Sequence, residues 1–84
     1  MTRSGLRMDD VEELDLTGLK CPLPALMTAK ALRRLAPGAE LSVIVTDALA
    51  PLDIRFLCER DGHEFLDENK GNGTTRLRLR AGPK

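Results

Sequence analysis

The sequence has no tryptophan or tyrosine and two phenylalanines, which leaves no aromatic platform on which nucleic-acid bases could stack. It also has no net charge, thirteen basic side chains against thirteen acidic ones. No global field therefore favours nucleic acid or a membrane surface. No apolar run approaches the ~20 residues that a membrane helix needs, and the first ten residues lack the apolar core of an export signal. One histidine and two cysteines 37 positions apart make neither a metal-ligand set nor a disulfide framework. What is left is a chain of 84 residues, enough for one small domain and not for two. It reads as a cytoplasmic domain with free thiols, needing no metal or cofactor, and nothing in it demands more than a monomer.

Against this background one stretch stands out, Gly18-Leu19-Lys20-Cys21-Pro22-Leu23-Pro24. It places a cysteine where an apolar strand pattern stops and a helical pattern starts. Pro22 suits the first helical position and Pro24 the first turn, where backbone donors have no intrahelical partner. Cys21, preceding a proline, is pushed toward extended backbone, which makes it the expected N-cap. There its sulfur would feel the positive end of the helix dipole, and Lys20 would add a charge nearby. Both favour thiolate, so a moderately activated thiol on a stiff mount is expected.

The rest of the chain supplies a scaffold. Residues 1–10 carry no periodicity and read as a disordered tail. Val11–Leu16 reads as a strand that Gly18 turns toward the cysteine. From Pro22 to Leu35, Pro24, Met27, Thr28, Ala31, Leu32 and Leu35 form one buried stripe. Lys30, Arg33 and Arg34 lie opposite, with Leu23 and Leu26 on the same outward side as Cys21. Leu41–Thr46 is a central strand. A second helix runs from Asp53, its N-cap, to Arg60, with Ile54, Leu57 and Cys58 inward and Leu52 and Phe56 off that stripe. His63–Glu68 alternates with Phe65 inward, Gly71-Asn72-Gly73 is a hairpin turn, and Thr75–Arg80 alternates with Leu77 and Leu79 inward. Residues 81–84 read as a polar tail. The sum is βαβαββ over residues 11–80, an α/β (α+β) two-layer sandwich with both helices on one face of a mixed four-stranded sheet.

Each candidate has an ordinary reading beside its functional one. Cys21 could be a small hydrophobe, and Cys58, on an apolar stripe, reads as structural. His63 reads as a satisfied edge histidine, Asp47 and Asp53 as turn and cap residues. Arg76, Arg78 and Arg80 read as the solvent side of an exposed strand with edge protection as a second use. Lys30, Arg33 and Arg34 are either a solvated face or a docking surface for a partner. No histidine lies near the motif, and no hydrolase constellation is present. Three classes remain: a protein whose Cys21 thiol does chemistry, a non-enzymatic protein- or RNA-binding module, and a redox sensor pairing Cys21 with Cys58.

Leu14-Asp15, Gly18-Leu19-Lys20-Cys21-Pro22-Leu23-Pro24, Pro37-Gly38 and Thr46-Asp47, followed by Asp53-Ile54, Phe56-Leu57-Cys58 and Gly62-His63, resemble the TusA/SirA family of small sulfur-carrier proteins. The resemblance spans about residues 13–80, and Cys-Pro-x-Pro is that family's hallmark. It implies a sulfurtransferase-type carrier in which Cys21 accepts sulfane sulfur from a cysteine desulfurase or other donor as a persulfide. An acceptor protein's reactive cysteine would then receive it, for tRNA 2-thiolation, molybdenum-cofactor synthesis or sulfur oxidation. Gly18, Lys20, Pro22 and Pro24 would shape the thiol's surroundings, and Leu23, Leu26, Lys30, Arg33 and Arg34 would form the docking face. The chain departs from the family's pattern in having Ala48 where a proline usually follows Asp47, and an apolar Leu23 where some relatives are acidic.

Overall fold

The computed structural model describes residues 11–83; the expected tail at residues 1–10 and Lys84 lie outside the described residues. The elements run β1 (Val11–Leu16), α1 (Leu23–Arg34), β2 (Glu40–Val45), α2 (Ala50–Asp61), β3 (Glu64–Gly71) and β4 (Thr74–Arg80). The sheet order is β1-β2-β4-β3. β1 and β2 are parallel, while β4 runs antiparallel to both β2 and β3. This is the expected two-layer sandwich. Among the described residues no helix is long and apolar enough to cross a membrane.

Alternation decides which side chains meet. On the helix-facing side of the sheet Leu14, Val43 and Leu77 stand in register, with Leu41 beside Leu79 and Phe65 packed against the same core. From the helices, Leu32, Ala31, Ile54 and Cys58 close the core against them. The period of α1 has one exception. Met27 was expected on the buried stripe, yet it is 43 % exposed. It lies at the rim of the stripe that Pro24, Thr28, Ala31 and Leu32 bury. Leu52 and Phe56 of α2 stand off its buried face, as their spacing predicts, and both are exposed.

Three further expectations need correcting. α2 begins at Ala50, so Asp53 is inside its first turns and does not cap it; the N-cap is Leu49 and Pro51 sits in the first turn. A proline is compatible with that position because its missing N–H has no helical partner there. Arg76, Arg78 and Arg80 belong to an inner strand, not to an edge. They reach across the open face of the sheet to Glu13, Glu40, Asp67 and Glu64. Such exposed pairs contribute about 0–1 kcal/mol each, so the ladder adds little to stability. Finally, the segment after β4 is not wholly a polar tail, because Ala81 and Gly82 are buried. Ala81 exchanges backbone hydrogen bonds with Gly38 and Ala39. The Gly82 N–H donates to Nδ1 of His63 at 2.9 Å, which makes His63 the satisfied histidine that its position suggested.

Other local signals hold. Asn72 and Gly73 both have positive φ, 48° and 81°, the pairing that a two-residue type I′ hairpin requires. β3 is the exception: a bulge between Phe65 and Asp67 shifts its register near its start, and Phe65 through Glu68 are all half-buried instead of alternating as expected from His63 to Glu68.

Candidate functional site

The site is built where the β1–α1 turn meets the loop that follows β2. Gly18, with φ +83°, takes the left-handed conformation that a Cβ disfavours and so turns the chain out of β1. Its N–H donates to Oγ1 of Thr46 at 2.8 Å. The two loops are stitched a second time at the cysteine, whose N–H donates to Oδ2 of Asp47 at 2.6 Å. Asp47 also accepts from the N–H of Leu49 at 3.5 Å, so it is the expected turn residue with a second task.

The Cys21–Pro22 peptide is cis. Pro22 is the N-cap of α1, with φ −98° and ψ 11°, and Pro24 stands in the first turn. The cysteine is therefore one residue earlier than the N-cap slot assigned to it from sequence. Leu23 N–H donates to the carbonyl of Lys20 at 2.9 Å and Leu26 N–H to that of Pro22 at 3.1 Å. The backbone around Cys21 is thus tied to both the preceding strand end and the helix.

The sulfur itself does not turn to the helix amides. Cys21 is exposed, and its Sγ–H donates to Oδ2 of Asp53 at 2.7 Å. This overturns the expected activated thiolate. The Asp53 carboxylate stabilises the protonated thiol through that hydrogen bond, partial desolvation adds to it, and the charges of Asp53 and Asp47 repel a thiolate. Together they hold the Cys21 thiol above its ordinary range. Lys20 does not outweigh them. It lines a neighbouring hollow of about 260 Å³ with Gly18, Thr46 and Asp47 and makes no hydrogen bond to the sulfur.

Beside the thiol runs an open groove of about 710 Å³ between α1 and α2. Pro22, Ala25, Leu26 and Ala29 form one wall, and Asp53, Phe56, Leu57 and Arg60 the other. Leu26 and Phe56 are 59 % and 63 % exposed, large apolar side chains held in water in the groove that Cys21 also lines. The anticipated docking set divides around this groove. Leu26 lines it; Leu23, Lys30, Arg33 and Arg34 are exposed but are not part of its walls. Arg33 acts on Asp61 of α2, whose carboxyl is held low first by Arg60 and more weakly by His63 and Arg33. Arg34 points toward β1 and pairs with Glu12 at 3.5 Å.

Sequence reasoning missed Asp53, Phe56 and Arg60 as neighbours of the cysteine. For Phe56 there was a signal, since it falls off the apolar stripe of its helix. Asp53 carried none, because its contact with Cys21 spans 32 positions and depends on how the two helices pack. Cys58 is buried, as expected, and burial, with a smaller contribution from Asp61, pushes its thiol up to about 11. Both cysteines are free. The arrangement offers one accessible sulfur, a backbone held by hydrogen bonds on both sides of it, and a groove whose walls carry exposed apolar side chains.

Comparison with known proteins gives a consistent result. The family model described as "Sulfurtransferase TusA" matches residues 12–81. A candidate sulfur carrier protein of Neisseria meningitidis serogroup A is 46 % identical over 66 residues, covering 79 % of this chain and 89 % of the relative. A protein of Pseudomonas entomophila named sulfur carrier protein TusA is 46 % identical over 61 residues, covering 73 % of this chain and 76 % of its own. Among solved structures, the crystal structure of a SirA-like protein from Desulfitobacterium hafniense superposes with a TM-score of 0.70 at 28 % identity, over 87 % of this chain and 99 % of that one.

Proposed function

The chain belongs to the sulfurtransferase TusA family, and from that premise we propose that it is a sulfur carrier that receives sulfane sulfur on Cys21 as a persulfide and relays it to an acceptor protein. The observation that carries this reading is the contrast between the two thiols. Cys21 is exposed at the mouth of the groove between α1 and α2. Cys58 is closed into the core and its thiol is pushed up to about 11.

The chemistry needs little beyond an accessible sulfur. In loading, the Cys21 thiolate attacks the terminal sulfur of a donor persulfide; a new S–S bond forms at Cys21 while the donor's S–S bond breaks. The donor cysteine leaves as a thiolate and takes up a proton, which balances the one Cys21 lost. Unloading is the same exchange with an acceptor thiolate as the attacker. No oxidant or reductant is consumed overall.

The donor assigned here is a cysteine desulfurase, or another protein presenting sulfane sulfur, and the acceptor is a protein with a reactive cysteine. The sulfur would be destined for tRNA 2-thiouridine, molybdenum-cofactor synthesis or sulfur oxidation. Leu26 and Phe56 provide apolar contact for either partner, and Arg60 with the nearby Arg33 provides the charged rim. Such work fits a cytoplasmic monomer, since free thiols persist in a reducing compartment. The test is a relay: a cysteine desulfurase, radiolabelled cysteine and a cysteine-bearing acceptor protein, with and without this chain. Label should reach the acceptor faster with the wild type, and Cys21→Ser should abolish the gain. A gain that survives Cys21→Ser would refute the reading.

A further inference from the structure

We propose that Asp53 makes Cys21 a sulfur donor as well as a sulfur acceptor, by biasing the loaded and unloaded forms of the cysteine toward discharge. This rests on the persulfide reading above. Asp53 touches the reacting atom, with Oδ2 2.7 Å from Cys21 Sγ. A second carboxylate, from a different loop, holds the backbone of the same residue, with Asp47 Oδ2 at 2.6 Å from Cys21 N. Among the described residues no cation is hydrogen-bonded to the sulfur. Arg60 lines the groove but is held by its neighbour Asp61, at 3.0 and 3.3 Å. Lys20 lines the neighbouring hollow with Thr46 and Asp47 and makes no hydrogen bond to the sulfur. The two side chains that hydrogen-bond Cys21 are therefore both carboxylates.

A negative neighbour affects the two states of a carrier unequally. The terminal S–H of a persulfide is more acidic than a thiol, so near neutral pH a solvated persulfide gains stability by ionising while a thiol does not. Asp53 penalises that anion. The empty thiol, protonated in either case, loses nothing. The loaded state is thus raised relative to the empty one, and sulfur leaves more readily.

The same charge keeps the terminal sulfur in its neutral, electrophilic form. An acceptor thiolate attacks the neutral S–SH, the new S–S bond forms at the acceptor, and the Cys21 Sγ–S bond breaks. The transferred sulfur keeps its hydrogen, and the bonding pair returns to Sγ. Cys21 then takes a proton from solvent, equal to the one the acceptor thiol released on ionising, and restores its hydrogen bond to Asp53.

The experiment equilibrates the full chain with a fixed ratio of glutathione persulfide to glutathione and reads the loaded fraction at Cys21 by mass spectrometry. At neutral pH Asp53→Asn should raise the ratio of loaded to empty protein by about threefold or more, as expected when a contacting charge is removed from an exposed ionisable group. The gain should shrink as the pH falls and both proteins carry a neutral S–SH, a pH profile that a purely structural role would not produce. Glu59→Gln, which removes a charge from an exposed position of the same helix, should leave the ratio unchanged. Asp53→Ala, with its higher helix propensity, replaces Asp53→Asn in the comparison if circular dichroism shows that variant unfolded. Equal or lower loading of the Asp53 variant beside a wild type that loads normally would overturn the proposal and leave the carrier reading standing. A wild type that takes up no sulfur at Cys21 would overturn both.

Discussion

Thr28 offers a quantitative test of how α1, the helix that mounts Cys21, is held on the sheet. Its side chain is fully buried on the stripe shared with Pro24, Ala31 and Leu32, and its Oγ1 has no hydrogen-bond partner. A buried hydroxyl left unpaired costs about 1–3 kcal/mol. Thr28→Val keeps the branched shape and changes helix propensity very little, so the variant should gain about 1 kcal/mol. For a domain of this length that corresponds to a rise in Tm of roughly 4–8 °C. In urea it is a shift in midpoint of about 0.5–1 M with an unchanged slope, given slopes of about 1–2 kcal/mol/M. Thr28→Ser separates the two parts of the side chain: it keeps the hydroxyl, loses a methyl, and should cost about 1 kcal/mol. If Thr28→Val were no more stable than the wild type, the hydroxyl must be satisfied, for instance by a helix carbonyl one turn back. The packing described for α1 would then be wrong in detail.

Four other outcomes follow from the same geometry. Iodoacetamide should alkylate Cys21 more slowly near neutral pH than it alkylates a free cysteine, because Asp53 holds the thiol protonated; Asp53→Asn should speed the reaction, and a slower variant would contradict that cause. For Cys58 the folded thiol is pushed up from 9.0 to about 11, so its contribution to stability is complete below the unfolded value. That contribution is lost as the pH rises through the folded one, and urea midpoints of the wild type should fall more steeply over this range than those of Cys58→Ala. Gly82→Ala would drive a Cβ into the carbonyl oxygen of Gly62, and calorimetry should show a loss of about 1–3 kcal/mol from the forced shift. Phe56→Asp, at an exposed position, should change stability by about 0.5 kcal/mol or less. It should nevertheless slow sulfur transfer between proteins about tenfold, as removal of an interface anchor does; unchanged transfer would move docking away from the groove.

The fold was legible where burial imposes a period. Leu77 and Leu79 between arginines, Pro24 through Leu32 at helical spacing, and the Asn72–Gly73 turn each announce their structure locally. Position within the sheet was not legible: the alternation of β4 is the same on an inner strand as on an edge, so the arginines' partners on neighbouring strands had to come from the topology. The start of α2 was misplaced because Pro51 and Asp53 look like a loop and a cap. Both are equally compatible with a helix already begun at Ala50. The flanking prolines single out Cys21 in the sequence, but the surroundings of its sulfur are not legible there. The local signals, Lys20 and a helix start, favour thiolate, whereas the carboxylate that governs the sulfur arrives from 32 positions away.

The claim that sulfur rides on Cys21 is tested most directly by incubating the chain with a cysteine desulfurase, cysteine and pyridoxal phosphate, trapping it with an alkylating agent and mapping the peptides by mass spectrometry. The account predicts one added sulfur on the Cys21 peptide, lost on treatment with a reducing thiol and absent from Cys21→Ser. Added sulfur only on the Cys58 peptide, or none on Cys21, would contradict it.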